Sequence, residues 1–169
     1  MDTQARPAAY HQGVFSFPNP VNEKAARTVA AVVATVALVA LLTGWHWLTV
    51  PLAYGFWARV LTGPTLSPLG RGAQLFAARY LGEPRNVPGP PKRFAQGMGA
   101  AMTTAALAAW LVGANTLVTV LLVMLLVAAT LESVFAFCLG CKVFAGLMRI
   151  GVVPQEVCEK CVVGGGADA

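Results

Sequence analysis

The chain has 169 residues, 57% of them hydrophobic and only 11% charged, with a mean hydropathy of +0.65. A soluble domain of this size needs far more charge to cover its surface, so the composition excludes that class and points to an integral membrane protein. The net charge of +5 could suggest nucleic acid, but the Lys and Arg residues fall at the edges of apolar segments. Topology and lipid contact explain them there, and no nucleic-acid partner is expected.

Residues 1–25 form a polar, Pro-containing segment without the apolar run of a secretory signal, so the first hydrophobic segment is expected to stay in the mature protein. Asn22 followed by Glu23 reads as a helix N-cap and first turn. A first span is predicted over 26–44, almost purely Ala, Val and Leu. Trp45, His46 and Trp47 then form a short interfacial turn, and a second span over 45–61 contains Pro51 and Gly55 and ends beside Arg59. Gly63 and Pro64 stop that helix. Ser67 as N-cap and Pro68 at the first helical position open a short amphipathic helix over 67–82, with Leu69, Ala73, Phe76 and Tyr80 on one face. This pattern fits a helix lying in the membrane interface, and equally a loop helix packed on the bundle. The Pro-rich stretch after it is extended.

A third span over 95–112 is rich in Gly, Ala and Thr, which lets helices approach closely in lipid and makes this span central. After the turn at Gly113 comes a fourth span over 117–137, with its helix continuing to about 149; at about 1.5 Å rise per residue it crosses the ~30 Å hydrocarbon core with turns left over. This places Cys138 and Cys141 on the last turns of a spanning helix. Residues 150–169 form a flexible tail. The expected fold is therefore all-α, with four transmembrane helices as two hairpins joined by a cytoplasmic interfacial helix. The basic residues lie on one side of these spans and the two tight turns carry none, so the positive-inside rule puts both termini in the cytoplasm of a multi-pass plasma-membrane protein.

Two constellations carry chemistry. Arg59 and Glu132 each lie about fifteen residues beyond an external turn, on spans running in the same direction, so similar depth predicts an ion pair. Such a pair either fixes helix register or lines a path for a small solute or ion. Cys138 and Cys141 form a C-x2-C pair and Cys158 and Cys161 a second. The overall C-x2-C-x16-C-x2-C spacing fits a four-cysteine zinc site, with zinc as the cofactor clipping the tail to the bundle. It equally fits a relay in which one pair takes oxidation or sulfur and passes it to the other. On the reducing side of a membrane a permanent structural disulfide is not expected. His11 and His46 lie at opposite ends of this topology and make no joint metal site.

The segments PNPVNEKAAR, RVLTGPTLSPL, PPKRFAQ and ESVFAFCLGCKVF are similar to those of a family of small bacterial four-span membrane proteins catalogued as a domain of unknown function, and the resemblance covers about residues 18–149. The family's marked positions fall here on Arg59, Gly63, Pro64, Ser67, Pro68, Lys92, Arg93, Glu132, Phe137, Cys138, Gly140 and Cys141. The resemblance implies proximity to thioredoxin-like and rhodanese-like sulfurtransferase proteins, hence a soluble partner of that kind. Thiol or sulfur chemistry at Cys138 and Cys141 is the leading expectation, with the lipid bilayer as surroundings and self-association compatible with so small a bundle.

Overall fold

The computed structural model describes residues 19–64 and 66–154, which form six α-helices and one small sheet. Helix α1 spans Glu23–Thr43. As its sequence implies, Asn22 caps it, its side-chain oxygen accepting from the Lys24 N–H at 3.0 Å. Gly44, with φ of 71°, ends α1 in a left-handed conformation that glycine adopts at little cost. A 3₁₀ turn over His46–Leu48 leads into α2, Thr49–Thr62. Pro51 sits in the first turn of α2, where its missing N–H would have had no helical partner.

Helix α3 spans Pro68–Tyr80, with the Ser67 hydroxyl accepting from the Gly70 N–H at 3.1 Å. Helix α4 spans Gly89–Leu111, α5 Asn115–Phe135 and α6 Leu139–Arg149. The stretch before α4 is not simply extended. Its β2, Asn86–Val87, pairs antiparallel with β1, Val21–Asn22, and the Glu23–Arg85 ion pair at 3.0 Å continues that clasp.

Among these helices α1 and α5 are long and apolar enough to cross a membrane. The expectation of four such spans is thus met at two. With 14 residues, α2 rises only about 21 Å against a hydrocarbon core of about 30 Å. The 23 residues of α4 suffice in length, but they include Lys92, Arg93, Gln96, Thr103 and Thr104. Only 33% of the apolar window of α1 and 22% of that of α5 is buried, so most of their Val and Leu surface faces outward, unlike a core helix of a soluble protein.

Of the two sequential hairpins expected, the second is present, with α4 packed on α5, whereas α1 and α2 scarcely touch. Helix α1 packs chiefly on α5 and α3, while α2 packs on α4, and α4 joins the halves by contacting α5 and α6 as well. Ala25, Val29, Val33, Ala37 and Ala40 form the inner stripe of α1, and Val118, Leu122, Leu125 and Ala129 that of α5. The small residues of α4 permit its central position: a Cβ at Gly99 would overlap the Phe56 ring of α2. On α3 the buried line is Gly70, Ala73 and Ala77, with Phe76 and Tyr80 exposed. The small residues let α3 sit close to α1, so of the apolar face read from the sequence Ala73 meets the bundle while Phe76 and Tyr80 point outward.

The largest departure is at the end of α5. The helix does not continue to residue 149 but stops at Phe135, and the chain reverses through Ala136 at φ of 56° before restarting as α6. A left-handed alanine costs about 1–2 kcal/mol. The break is offset by Arg27 of α1, whose guanidinium donates to the carbonyls of Ser133 at 2.9 and 3.0 Å and of Val134 at 3.1 Å, satisfying carbonyls that the helix end leaves open.

Candidate functional site

The break in α5 changes the surroundings of the cysteines. The sequence placed them near a helix C-terminus; instead Cys138 is the N-cap of α6, and its sulfur accepts the Cys141 N–H at 3.3 Å. A disulfide joins Cys138 to Cys141, whose Cα atoms are 5.2 Å apart. When the pair is reduced, the open N–H groups at a helix start favour negative charge on the capping sulfur. The two sulfurs are not equivalent in access, for Cys138 is 8% exposed and Cys141 is half-buried.

Packing holds α6 in place. Gly140 lies so close to α4 that a Cβ there would come within 2.6 Å of the Ala95 Cα, and Phe144 packs against Phe94 with ring centroids 5.6 Å apart and the planes tilted by 54°. Lys142 places its ammonium 5.7 Å from the centroid of the Phe137 ring.

Glu132 lies one turn before the end of α5, but its partner is not Arg59. The Lys92 ammonium of α4 donates to Glu132 Oε1 at 2.7 Å, with the two side chains only 8% and 15% exposed. Arg59 instead donates from Nε to Gln96 Oε1 at 2.9 Å and lies 4.7 Å over the Phe56 ring. Equal depth on α2 and α5 did not bring the charges into direct contact because α4 stands between, and Lys92 and Gln96, one turn apart on α4, take one partner each. The sequence marked Lys92 only as a position of the family pattern; nothing in its Pro-rich surroundings signalled burial.

These groups border two cavities. One of about 140 Å³ is lined by Phe56, Gln96, Met102, Leu125, Glu132 and Cys138, among others. A smaller one of about 60 Å³ adjoins it, with Arg59, Lys92, Gln96 and Asn22 in its wall. Cys138, Glu132 and Gln96 are therefore brought to one space, and Arg59 and Lys92 to its neighbour.

Among the described residues no group of three or more His, Cys, Asp or Glu side chains could hold a metal ion. Cys158 and Cys161, the other half of the expected zinc set, lie outside the described residues, as does His11. His46 sits in the 3₁₀ turn between α1 and α2, at the end of the bundle away from the cysteines.

The structure thus defines an all-α protein with two membrane-length helices and a C-x2-C pair at a helix start beside an apolar cavity. A family model described as Domain of unknown function (DUF4395) matches residues 21–149, and the chain belongs to that family. No curated protein and no solved structure matches the chain.

Proposed function

We propose that this protein is a membrane-embedded thiol–disulfide component in which Cys138 and Cys141 cycle between dithiol and disulfide. The observation that carries the reading is the placement of Cys138 as the N-cap of α6 with Cys141 within bonding reach. A helix start stabilises a thiolate, and a thiolate is both the better nucleophile in exchange and the better leaving group once bonded. In exchange with a protein dithiol, the partner's thiolate attacks the more accessible sulfur, Cys141. Cys138 then leaves as the thiolate that the α6 N-terminus stabilises. The partner's second thiol displaces Cys141, leaving the partner oxidised and the pair reduced. A thioredoxin-like or sulfurtransferase protein is the kind of partner proposed, with Cys158 and Cys161 as a second pair on the tail.

The same proposal places the chain in the bacterial plasma membrane with α2 and α4 completing a four-helix bundle around the spans α1 and α5. The α3, α6 and sheet end would face the cytoplasm. Two features support that orientation. Every Lys and Arg among the described residues lies on α3, on α6, in the loop before α4 or on helix ends nearby, and the exposed Trp45 and Trp47 mark the opposite end.

The test is metal content and thiol count on the full chain purified anaerobically in detergent. The expected result is no stoichiometric zinc and two thiols at Cys138 and Cys141 lost to mild disulfide oxidant and regained with reductant. One zinc per chain with four protected thiols would replace this reading by a structural clip. With the partner, exposure predicts that a mixed disulfide accumulates on Cys141 in the Cys138→Ser variant.

A solute pathway is a second reading, favoured by one observation. Arg59 is buried and its Nη1 has no hydrogen-bond partner among the described residues. With Lys92 already paired to Glu132, a small anion would suit that corner. Loss of uptake in Glu132→Gln with the fold intact would support it, and normal uptake would exclude it.

A further inference from the structure

We infer that the larger cavity binds the ring of a membrane quinone, and that the Cys138 and Cys141 dithiol reduces it. The inference rests on the dithiol reading above and names the electron acceptor on its membrane side.

Size is the first argument. The cavity of about 140 Å³ is close to the ~150 Å³ apolar cavity that accommodates one benzene ring. It takes one six-membered ring, with the ring substituents and tail left at its open mouth. Access is the second. Met124 borders the cavity yet is 55% exposed on the outer surface of α5, and Leu139 borders it from the start of α6. The opening therefore lies on the apolar flank of a membrane-length helix, where a lipid-soluble molecule enters and an isoprenoid tail can remain outside.

The polar groups fit a quinone better than a hydrocarbon. Among the residues bordering the cavity the polar side chains apart from Cys138 are Gln96 and Glu132. Arg59 donates to Gln96 Oε1, which fixes the amide so that its two N–H donors remain for another acceptor, as a quinone carbonyl would be. Arg59, Lys92 and Glu132 together carry one net positive charge next to this space. That charge favours the extra electrons a reduced quinone holds. Cys138 completes the wall, so the donor sulfur and the acceptor ring share one water-poor space.

The step balances without another reactant. The two thiols give up two electrons and two protons as the bond between their sulfurs forms. The quinone takes both electrons and both protons and leaves as the hydroquinone. Cys141, the more accessible cysteine, then meets the next protein dithiol while Cys138 faces the membrane acceptor. Electrons pass from the soluble dithiol to Cys141, to Cys138 and to the quinone.

The experiment uses the full chain carrying Cys158→Ser and Cys161→Ser, so that only Cys138 and Cys141 remain of its four cysteines. The reduced protein in nanodiscs is mixed anaerobically with a ubiquinone bearing one isoprenoid unit, whose fully substituted ring cannot be alkylated by thiols. The expected result is one hydroquinone formed per disulfide. Ala128→Phe and Met98→Trp, each filling the cavity from a different helix, should slow quinone reduction at least tenfold. Both should still be oxidised by hydroxyethyl disulfide at the parent rate, with unchanged helical content. Oxidation by hydroxyethyl disulfide without quinone reduction would overturn the quinone inference and leave the dithiol reading standing. Oxidation by neither reagent would overturn both. Full quinone reduction in both filled variants would overturn the cavity as the site.

Discussion

Gly140→Ala and Gly146→Ala make the same chemical change on one short helix, and the structure gives them opposite signs. Gly146 lies inside α6, where alanine is favoured over glycine by about 1 kcal/mol from propensity alone, and Gly140 lies in its first turn, where that preference is smaller. At Gly146 nothing lies within 4 Å of the added Cβ, so the full propensity gain is expected. At Gly140 the Cβ would meet the Cα and Cβ of Ala95 at 2.6 Å, and a backbone atom cannot swing aside as a side-chain tip can. Restoring ordinary contact requires α6 to move from α4 by about 1 Å, an overpacking cost of about 1–3 kcal/mol that exceeds the propensity gain. Thermal unfolding in detergent, followed by circular dichroism, should show Gly146→Ala above the parent and Gly140→Ala below it. The displacement also moves Cys138 away from its cavity wall, so alkylation of the reduced Cys138 by a water-soluble maleimide should accelerate in Gly140→Ala alone. A Gly140→Ala protein as stable as Gly146→Ala, with parent alkylation kinetics, would refute the claim that this glycine sets the position of the cysteine pair.

Other expectations follow from single contacts. Lys92→Met strands Glu132 in a largely buried position and should cost about 3–5 kcal/mol, as should Glu132→Gln for Lys92, while the double variant should cost much less than the sum; additive losses in a denaturation cycle would show that the pair does not couple. Arg27→Met leaves the Ser133 and Val134 carbonyls without their donor and should cost about 1.5–3 kcal/mol, with amide exchange rising at residues 133–138 rather than through α1. Gly63 has φ of 60° and ψ of −133°, a region almost closed to other residues, so Gly63→Ala should cost about 1–3 kcal/mol from strain; parent stability in a melt would contradict the assigned backbone.

The elements most legible in the sequence are those specified locally. Asn22 and Ser67 cap their helices through bonds two and three residues along the chain, and Gly44 and Gly113 turn the chain where positive φ is required. The break between α5 and α6 was not legible, because Ala136, Phe137 and Cys138 include neither Gly nor Pro and continue an apolar run. What sustains it is Arg27, more than a hundred residues earlier in sequence, and no local pattern reports such a partner. The direct ion pair between Arg59 and Glu132 failed for a related reason, although the two charges do lie near each other. Counting residues from a turn fixes a side chain's height in a bundle, but contact also needs the right angle about the axis, and here α4 occupies that direction. The cysteine pair was legible as a pair, whereas its place at a helix start depended on the break and was lost with it.

The basic residues at one end of the molecule hold helix ends together. Lys24 donates to the Leu81 carbonyl at 2.6 Å just past α3, Arg93 to the Val60 carbonyl at 3.1 Å in the last turns of α2, and Arg27 to the end of α5. In each case a cation from near the start of one helix satisfies carbonyls at the end of a neighbour, where the helix dipole is negative. A chain whose helices start and stop at one level places these opposite dipole ends side by side, so the charges proposed above to set orientation in a bilayer also lock the helix ends together. At α5 this lock has a chemical consequence. By holding the carbonyls of Ser133 and Val134, Arg27 stabilises the end of the long apolar helix before Cys138, and because the helix ends there Cys138 becomes the cap of a new helix rather than part of the last turn of an old one. The reactivity proposed for the cysteine pair therefore depends on an arginine on another helix, and Arg27→Met should slow the attack on Cys141 that expels Cys138 even in preparations where the bundle remains folded.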